Sequence, residues 1–190
     1  MTPTRRRLAL GGGLAAAALL FAIAYRSSLV PATHPDHDHG ILNLDAGGRL
    51  LVQKRDGTKR NLVGRPGKVL LVHFFAPTAA GAAEEISALF ATQERMKGDP
   101  GVDWVLIARS PDFATLDRWL GENKLVPPAP GTLYLDPSGE TTQKLNCKRP
   151  IDTMFFNPEG KLASQSRGMT DWASVAPVRI SEARGGATIE

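Results

Sequence analysis

A single cysteine, Cys147, is all the thiol this 190-residue chain carries, which rules out a disulfide framework within one copy. In an oxidising compartment a lone thiol is either buried and inert or engaged in intermolecular chemistry. Burial as a small hydrophobe is the expectation for Cys147. No internal repeat is present, so a solenoid or propeller is not expected. Acidic residues are missing from Met1 to Ala24, whereas Arg5, Arg6 and Arg7 supply three of the charges behind the formal net charge of +4. Taking those three from four leaves about +1 for the remainder. No clustered basic face follows from that balance, and nucleic acid is not an expected partner. With 42% hydrophobic and 22% charged residues, the remainder has a globular composition and the length of one ordinary domain with an appendage.

The appendage comes first. Arg5–Arg7 precede an uncharged run from Leu8 to Ala24, followed by Tyr25 and Arg26. As a helix this run spans about 25 Å, short of a ~30 Å hydrocarbon core but within the tolerated range. The arginines stay on the cytoplasmic side, which puts everything after Arg26 outside. Residues 1–26 read either as a retained anchor or as a signal cleaved after Ala22-Ile23-Ala24. Thr4-Arg5-Arg6-Arg7-Leu8 and Gly11–Gly13 also resemble a twin-arginine export signal. Both readings place the domain at the outer face of a bacterial cell membrane, facing the periplasm, or secrete it.

Residues 27–40 form a polar linker ending in His34-Pro35-Asp36-His37-Asp38-His39-Gly40. The domain is expected over 41–180, with a flexible tail over 181–190. Within the domain, Leu50–Lys54 and Arg60–Leu62 flank Asp56-Gly57, a hairpin signal. Lys68–Ala76 is a nearly continuous apolar run, the pattern of a central strand covered on both faces. Gly81–Met96 carries Ile86, Leu89 and Phe90 at helical spacing, and Val102–Ala108 is a second buried-type strand. Ser110-Pro111-Asp112 opens a second helix, with Ser110 as cap and Pro111 first in the helix. Its apolar face is Phe113, Leu116, Trp119 and Leu120. Thr132–Asp136 and Thr153–Asn157 read as strands, and Asn157-Pro158-Glu159-Gly160 as a type I turn that returns Lys161–Arg167 antiparallel. A short helix begins at Asp171–Val178. Strand–helix–strand–helix–strand followed by a hairpin implies an α/β fold, a mixed sheet with helices on both faces.

Three stretches in this order resemble the extracytoplasmic thioredoxin-like proteins of the redoxin type (TlpA/ResA-like). They are Asp56-Gly57 with Gly67–Ala76, Leu135-Asp136-Pro137-Ser138-Gly139, and Phe156–Leu162; Gly168 and Asp171-Trp172 look like that family's closing segment. The resemblance covers roughly Leu50 to Trp172 and implies the thioredoxin-like fold. It also implies a Trp-Cys-x-x-Cys motif after the first central strand, where this chain has Thr78 for the Trp and Ala79 and Ala82 for the cysteines. The family's cis-proline falls on Ile151, one residue after Pro150, and a trans bond is expected there because a cis bond before a non-proline costs about 3–4 kcal/mol. Thiol–disulfide exchange needs an attacking thiolate and a second sulfur, and alanine supplies neither.

His73 occupies the strand position beneath the lost dithiol. It reads as a buried neutral imidazole, or as a proton acceptor at the base of the old pocket. Glu84 and Glu85 complement the dipole of the first helix. Phe74, Phe75, Phe155 and Phe156 alternate across two central strands as core. His34, His37 and His39 suit copper or zinc, although a linker without partners to orient the rings binds only weakly. The leading expectation is a non-catalytic module that binds an exported protein or assembly factor through the former active-site surface. The alternatives are redox chemistry through Cys147 with a partner dithiol, and transition-metal handling by the histidine-rich linker.

Overall fold

The computed structural model of the chain describes residues 50–168 and 170–185. The expected anchor, the histidine-rich linker and the last five residues lie outside the described residues. Among the described residues no helix is long and apolar enough to cross a membrane.

One seven-stranded sheet organises the domain. The strands are β1 (Leu51–Gln53), β2 (Lys59–Asn61), β3 (Val69–Phe75), β4 (Val102–Ala108), β5 (Leu133–Leu135), β6 (Ile151–Phe156) and β7 (Leu162–Arg167). Their spatial order is β2-β1-β5-β4-β3-β6-β7. The inner strands β3, β4 and β5 run parallel, and the hairpins β1–β2 and β6–β7 close the two sides antiparallel. Every residue of β3 and β4 is buried, as their continuous apolar runs require of strands covered on both faces.

The tight connections follow from their residues. In the β1–β2 turn, Asp56 accepts from the Thr58 amide (2.9 Å) and hydroxyl (2.6 Å), while Gly57 takes φ +82°, a conformation that costs glycine little. Between β6 and β7 the Gly160 amide donates to the Asn157 carbonyl at 2.9 Å, and the Asn157 side chain accepts from the Glu159 and Lys161 amides. That is the turn chemistry its sequence specifies.

Three long helices, α1 (Ala82–Arg95), α2 (Phe113–Glu122) and α4 (Trp172–Arg184), contribute to one core with alternate strand residues Val69, Leu71, Phe75, Trp104 and Leu106. The intervening residues Leu70, Val72, Phe74, Val105 and Ile107 join a second core with Leu145 and Cys147, which follow the short helix α3 (Glu140–Lys144). The sheet is therefore covered on both faces, one by long helices and the other by α3 and the segment after it. Full burial of a Phe or Leu stabilises by roughly 1.5–3 kcal/mol, so these two layers dominate the stability of the domain.

Two local expectations need correction, the cap of α2 and the start of the tail, and one helix, α3, has no counterpart in the sequence patterns. The cap of α2 is Asp112, whose carboxylate accepts from the Thr115 amide at 2.7 Å, while the Ser110 hydroxyl donates to the Asp112 carbonyl. A carboxylate three residues before an amide at the helix start is better placed and more negative than Ser110, so Pro111 stays outside the helix. Helix α3 carries no apolar periodicity. It is held instead by Asp136, which accepts from the Thr142 amide (2.7 Å) and hydroxyl (2.6 Å). The tail expected from Ser181 is still helix as far as Arg184: Ala183 is fully buried, continuing the inward stripe Trp172, Ala176 and Ile180, and Arg184 pairs with Asp99. Pro177 sits inside this helix but on its exposed side.

Candidate functional site

The parallel strands β3 and β4 end side by side, with Phe75 opposite Ala108. Backbone hydrogen bonds then tie three connections to that edge. The Arg109 amide donates to the Phe75 carbonyl at 2.8 Å, the Ala76 amide to the Pro150 carbonyl at 2.8 Å, and the Gly168 amide to the Ile151 carbonyl at 2.9 Å. The segment Ala76–Gly81 therefore starts against the entry to β6. It turns tightly, with the Ala79 amide on the Ala76 carbonyl (2.9 Å) and the Ala82 amide on the Ala79 carbonyl (3.2 Å). Gly81, at φ +76°, delivers the chain into α1 without a side-chain cap.

Thr78, Ala79, Ala82 and Ile151 are thus brought to one place. Thr78 is exposed, Ala79 half-buried and Ala82 buried at the start of α1. Ile151 is buried and paired with Phe75. Among the described residues no peptide bond is cis, so the bond before Ile151 is trans.

Beneath the loop lies a buried polar network. His73 has no exposed surface; its Nδ1 lies 2.9 Å from the Thr153 hydroxyl, and its Nε2 has no partner among the described residues. The imidazole stacks near Phe75 (6.0 Å) and meets the edge of Trp172 at 5.4 Å. Desolvation drives its pKa down from 6.5 to about 3, so the ring is neutral at physiological pH. The Trp172 indole donates to Glu85 Oε1 at 2.8 Å, and the Thr170 amide donates to Glu85 Oε2 at 2.9 Å. The hydroxyls of Thr170 and Ser166 lie 3.0 Å apart. Burial raises the Glu85 carboxyl above the ordinary range, against the pull of those two donors. Glu84, its neighbour, is exposed.

Their place in the first turn suits both glutamates to the helix dipole, but only Glu85 is also buried and bonded. Its signal was present: Glu85 sits three residues after Ala82 and four before Leu89, on the stripe that faces the core. A carboxylate on that stripe must find donors, and Glu85 finds them in the connection between β7 and α4.

Cys147 belongs to the other face. It is buried, its thiol pKa is raised first by desolvation and then by Asp152, and the thiol donates a long bond to the Leu145 carbonyl at 3.9 Å. Asp152 is fully buried and accepts from the Gln165 amide through both oxygens at 3.0 Å; burial raises its pKa. A recess of about 230 Å³ over Cys147 is lined by Arg109, Thr142, Asn146 and Lys148. A second recess of about 270 Å³, with Gln93, Trp104 and Tyr134 in its wall, reaches the opposite end of β4, away from the loop.

Among the described residues no group of three His, Cys, Asp or Glu side chains is placed to hold a metal ion. His34, His37 and His39 lie outside the described residues. The loop itself offers a hydroxyl at Thr78, with no hydrogen-bonded base recorded beside it, and no sulfur. His73 and Glu85 are enclosed, so neither reaches a substrate in this conformation.

A mixed sheet with this order, with a loop leading from the first inner strand into α1 and lying against the entry to β6, defines the thioredoxin-like fold. Solved structures agree. The chain is similar to a candidate DsbE thiol:disulfide interchange protein from Chlorobium tepidum, at 19% identity over 70% of this chain and 91% of that one, with a TM-score of 0.58. It is similar to StoA from Bacillus subtilis at 15% identity, 67% and 92% coverage and a TM-score of 0.55. A secreted Mycobacterium tuberculosis disulfide oxidoreductase homologous to DsbE of E. coli matches at 16% identity, 69% and 93% coverage and a TM-score of 0.55. At these identities the likeness is one of fold. No family model and no curated protein sequence matches the chain.

Proposed function

We propose that this chain is a non-catalytic thioredoxin-fold module, exported and held at the outer face of a bacterial membrane, that binds an exported protein or assembly factor at the former active-site surface. One observation carries the reading. The loop Ala76–Gly81 and the entry to β6 are tied together through Ala76 and Pro150, over the buried Glu85 network, while the resemblance puts the family's dithiol at Ala79 and Ala82. A site without sulfur cannot exchange disulfides, yet its supporting structure is intact. Fold alone does not confer the activity of the similar proteins. That one of them is described as secreted accords with the export reading of the N-terminal segment.

Cys147 is a poor substitute for the dithiol. Exchange requires an accessible thiolate, and here the thiol is buried with its pKa raised.

The test is capture of the partner by the full-length, detergent-solubilised chain. Thr78→Trp places a bulky ring on the exposed loop and should abolish capture; Glu122→Trp, on exposed surface at the end of α2, should leave it intact. Equal capture by both variants would sink the proposal.

A further inference from the structure

The surface around the retired loop is basic. Arg109 follows β4, Lys148 and Arg149 precede β6, and all three side chains are exposed. The backbone bonds that join Phe75 to Arg109 and Ala76 to Pro150 bring these cations to the edge of the loop. Arg109 and Lys148 both line the 230 Å³ recess, and Arg149 reaches toward β7, where it donates to the Arg167 carbonyl.

Several cations elsewhere on the described surface pair with carboxylates, Arg55 with Asp117, Arg65 and Lys68 with Asp103, Lys144 with Glu140, and Arg184 with Asp99, whereas no carboxylate is among the described residues that line this recess. Among the described residues Arg109, Lys148 and Arg149 form no ion pair. Two buried carboxylates of this region hydrogen-bond within the fold, Asp136 to Thr141 and Thr142, and Asp152, which also feels the charge of Arg149, to Gln165.

Resting on the partner-binding reading above, we infer that the Arg109–Lys148 recess, extended by Arg149, receives carboxylate side chains from an acidic segment of the partner protein. Charge complementarity sets the chemistry: exposed cations beside a recess with no carboxylate in its described lining favour an acidic ligand and steer its approach. The recess sets the kind of ligand. A recess of about 230 Å³ with Arg109 and Lys148 in its lining suits a side chain that inserts. An anionic membrane would instead be met by basic residues beside exposed apolar ones, and the exposed large hydrophobics Val63, Val126 and Val178 are outside the recess lining.

The experiment measures fluorescence anisotropy of a labelled Glu-Gly repeat peptide with the full-length chain in non-ionic detergent. Its Gln-Gly counterpart and vesicles of phosphatidylglycerol in phosphatidylcholine serve as competing probes. Replacing Arg109, Lys148 and Arg149 with Gln should weaken Glu-Gly binding about tenfold, the sum of three modest exposed pairs. Replacing Lys54, Lys59 and Lys124 with Gln removes the same charge elsewhere and should change it less than about twofold. Lys148→Glu alone should weaken it and provides a check through a single surface change. Equal losses in the two triple variants, no binding of Glu-Gly to the wild type, or binding of the vesicles alone would overturn the inference. Partner capture abolished by Thr78→Trp but kept by the first triple variant would also overturn it, while leaving the scaffold reading in place. Conversely, Glu-Gly binding at the recess without any partner capture would sink the scaffold reading and leave the recess as an acidic-segment site.

Discussion

Glu85 Oε1 accepts a 2.8 Å hydrogen bond from the Trp172 indole nitrogen, joining the first turn of α1 to the first residue of α4 across the edge of the sheet. Its other oxygen holds the Thr170 amide. A carboxylate beside a dithiol could be catalytic, but here no sulfur adjoins it, and its two bonds close the connection from β7 to α4. The domain has kept a buried charge-bearing group for architecture.

Removing that group should therefore cost stability. Glu85→Ala leaves two buried donors unsatisfied, and a buried donor without a partner costs about 1–3 kcal/mol. We expect a loss of roughly 2–4 kcal/mol in urea unfolding. Trp172→Phe, which removes one donor and leaves the buried Glu85 Oε1 without its partner, should destabilise as well. A loss below about 0.5 kcal/mol for Glu85→Ala, the range of an ordinary surface change, would contradict this role.

His73 gives the domain an acid-sensitive core. Its folded-state pKa is about 3, well below the 6.5 of an unfolded histidine. The unfolded chain therefore takes up a proton that the folded one refuses. The His73 contribution is fully present above pH 6.5 and is lost as pH falls from there toward 3, by at most about 1.4 kcal/mol per pH unit. Glu85 and Asp152 act oppositely: their raised pKa values favour the folded state as pH falls through their own titration. Comparing wild type with His73→Gln isolates the first effect. Between pH 6.5 and 4 the wild type should lose more stability than the variant, and parallel curves would contradict the assignment.

The loop geometry can be tested by restoring what the resemblance implies is missing. Ala79→Cys with Ala82→Cys puts two sulfurs at i and i+3 across a turn already closed by an amide–carbonyl bond. The double variant should form an internal disulfide on mild oxidation, read as a mass decrease of about 2 Da and loss of two titratable thiols. Retention of both free thiols would show that positions 79 and 82 do not correspond to the dithiol.

Cys147 should behave as an inert core thiol. Burial and the neighbouring Asp152 both disfavour the thiolate, so alkylation of the folded chain should be slower than that of the urea-unfolded chain by a factor on the order of 100. Comparable rates would revive thiol chemistry through this residue.

Much of this architecture is legible in the sequence because it rests on local patterns. Lys68–Ala76 and Val102–Ala108 announce two-sided burial by uninterrupted apolar character, and both are inner strands. Asp56-Gly57 and Asn157–Gly160 announce turns by side-chain chemistry that works at short range. What escaped depends on contacts distant in sequence. The inward stripe of α4 ends in small alanines and passes Pro177, so its extension to Arg184 has no strong apolar signal. Helix α3 owes its start to Asp136 rather than to a periodic face. The structural work of Glu85 depends on Thr170 and Trp172, which approach only once the sheet is complete. The clustering of Arg109, Lys148 and Arg149 likewise appears only when β4 and β6 come to one end of the sheet.

The most direct test of the central claim is photocrosslinking in cells, with a photoreactive amino acid at position 78 of the full-length chain and, as control, at position 122. A discrete adduct with an exported protein from position 78 only, insensitive to reducing agent, is the expected result and would show partner binding at the former active-site surface without disulfide chemistry. The same adducts from both positions, or none from position 78, would contradict it.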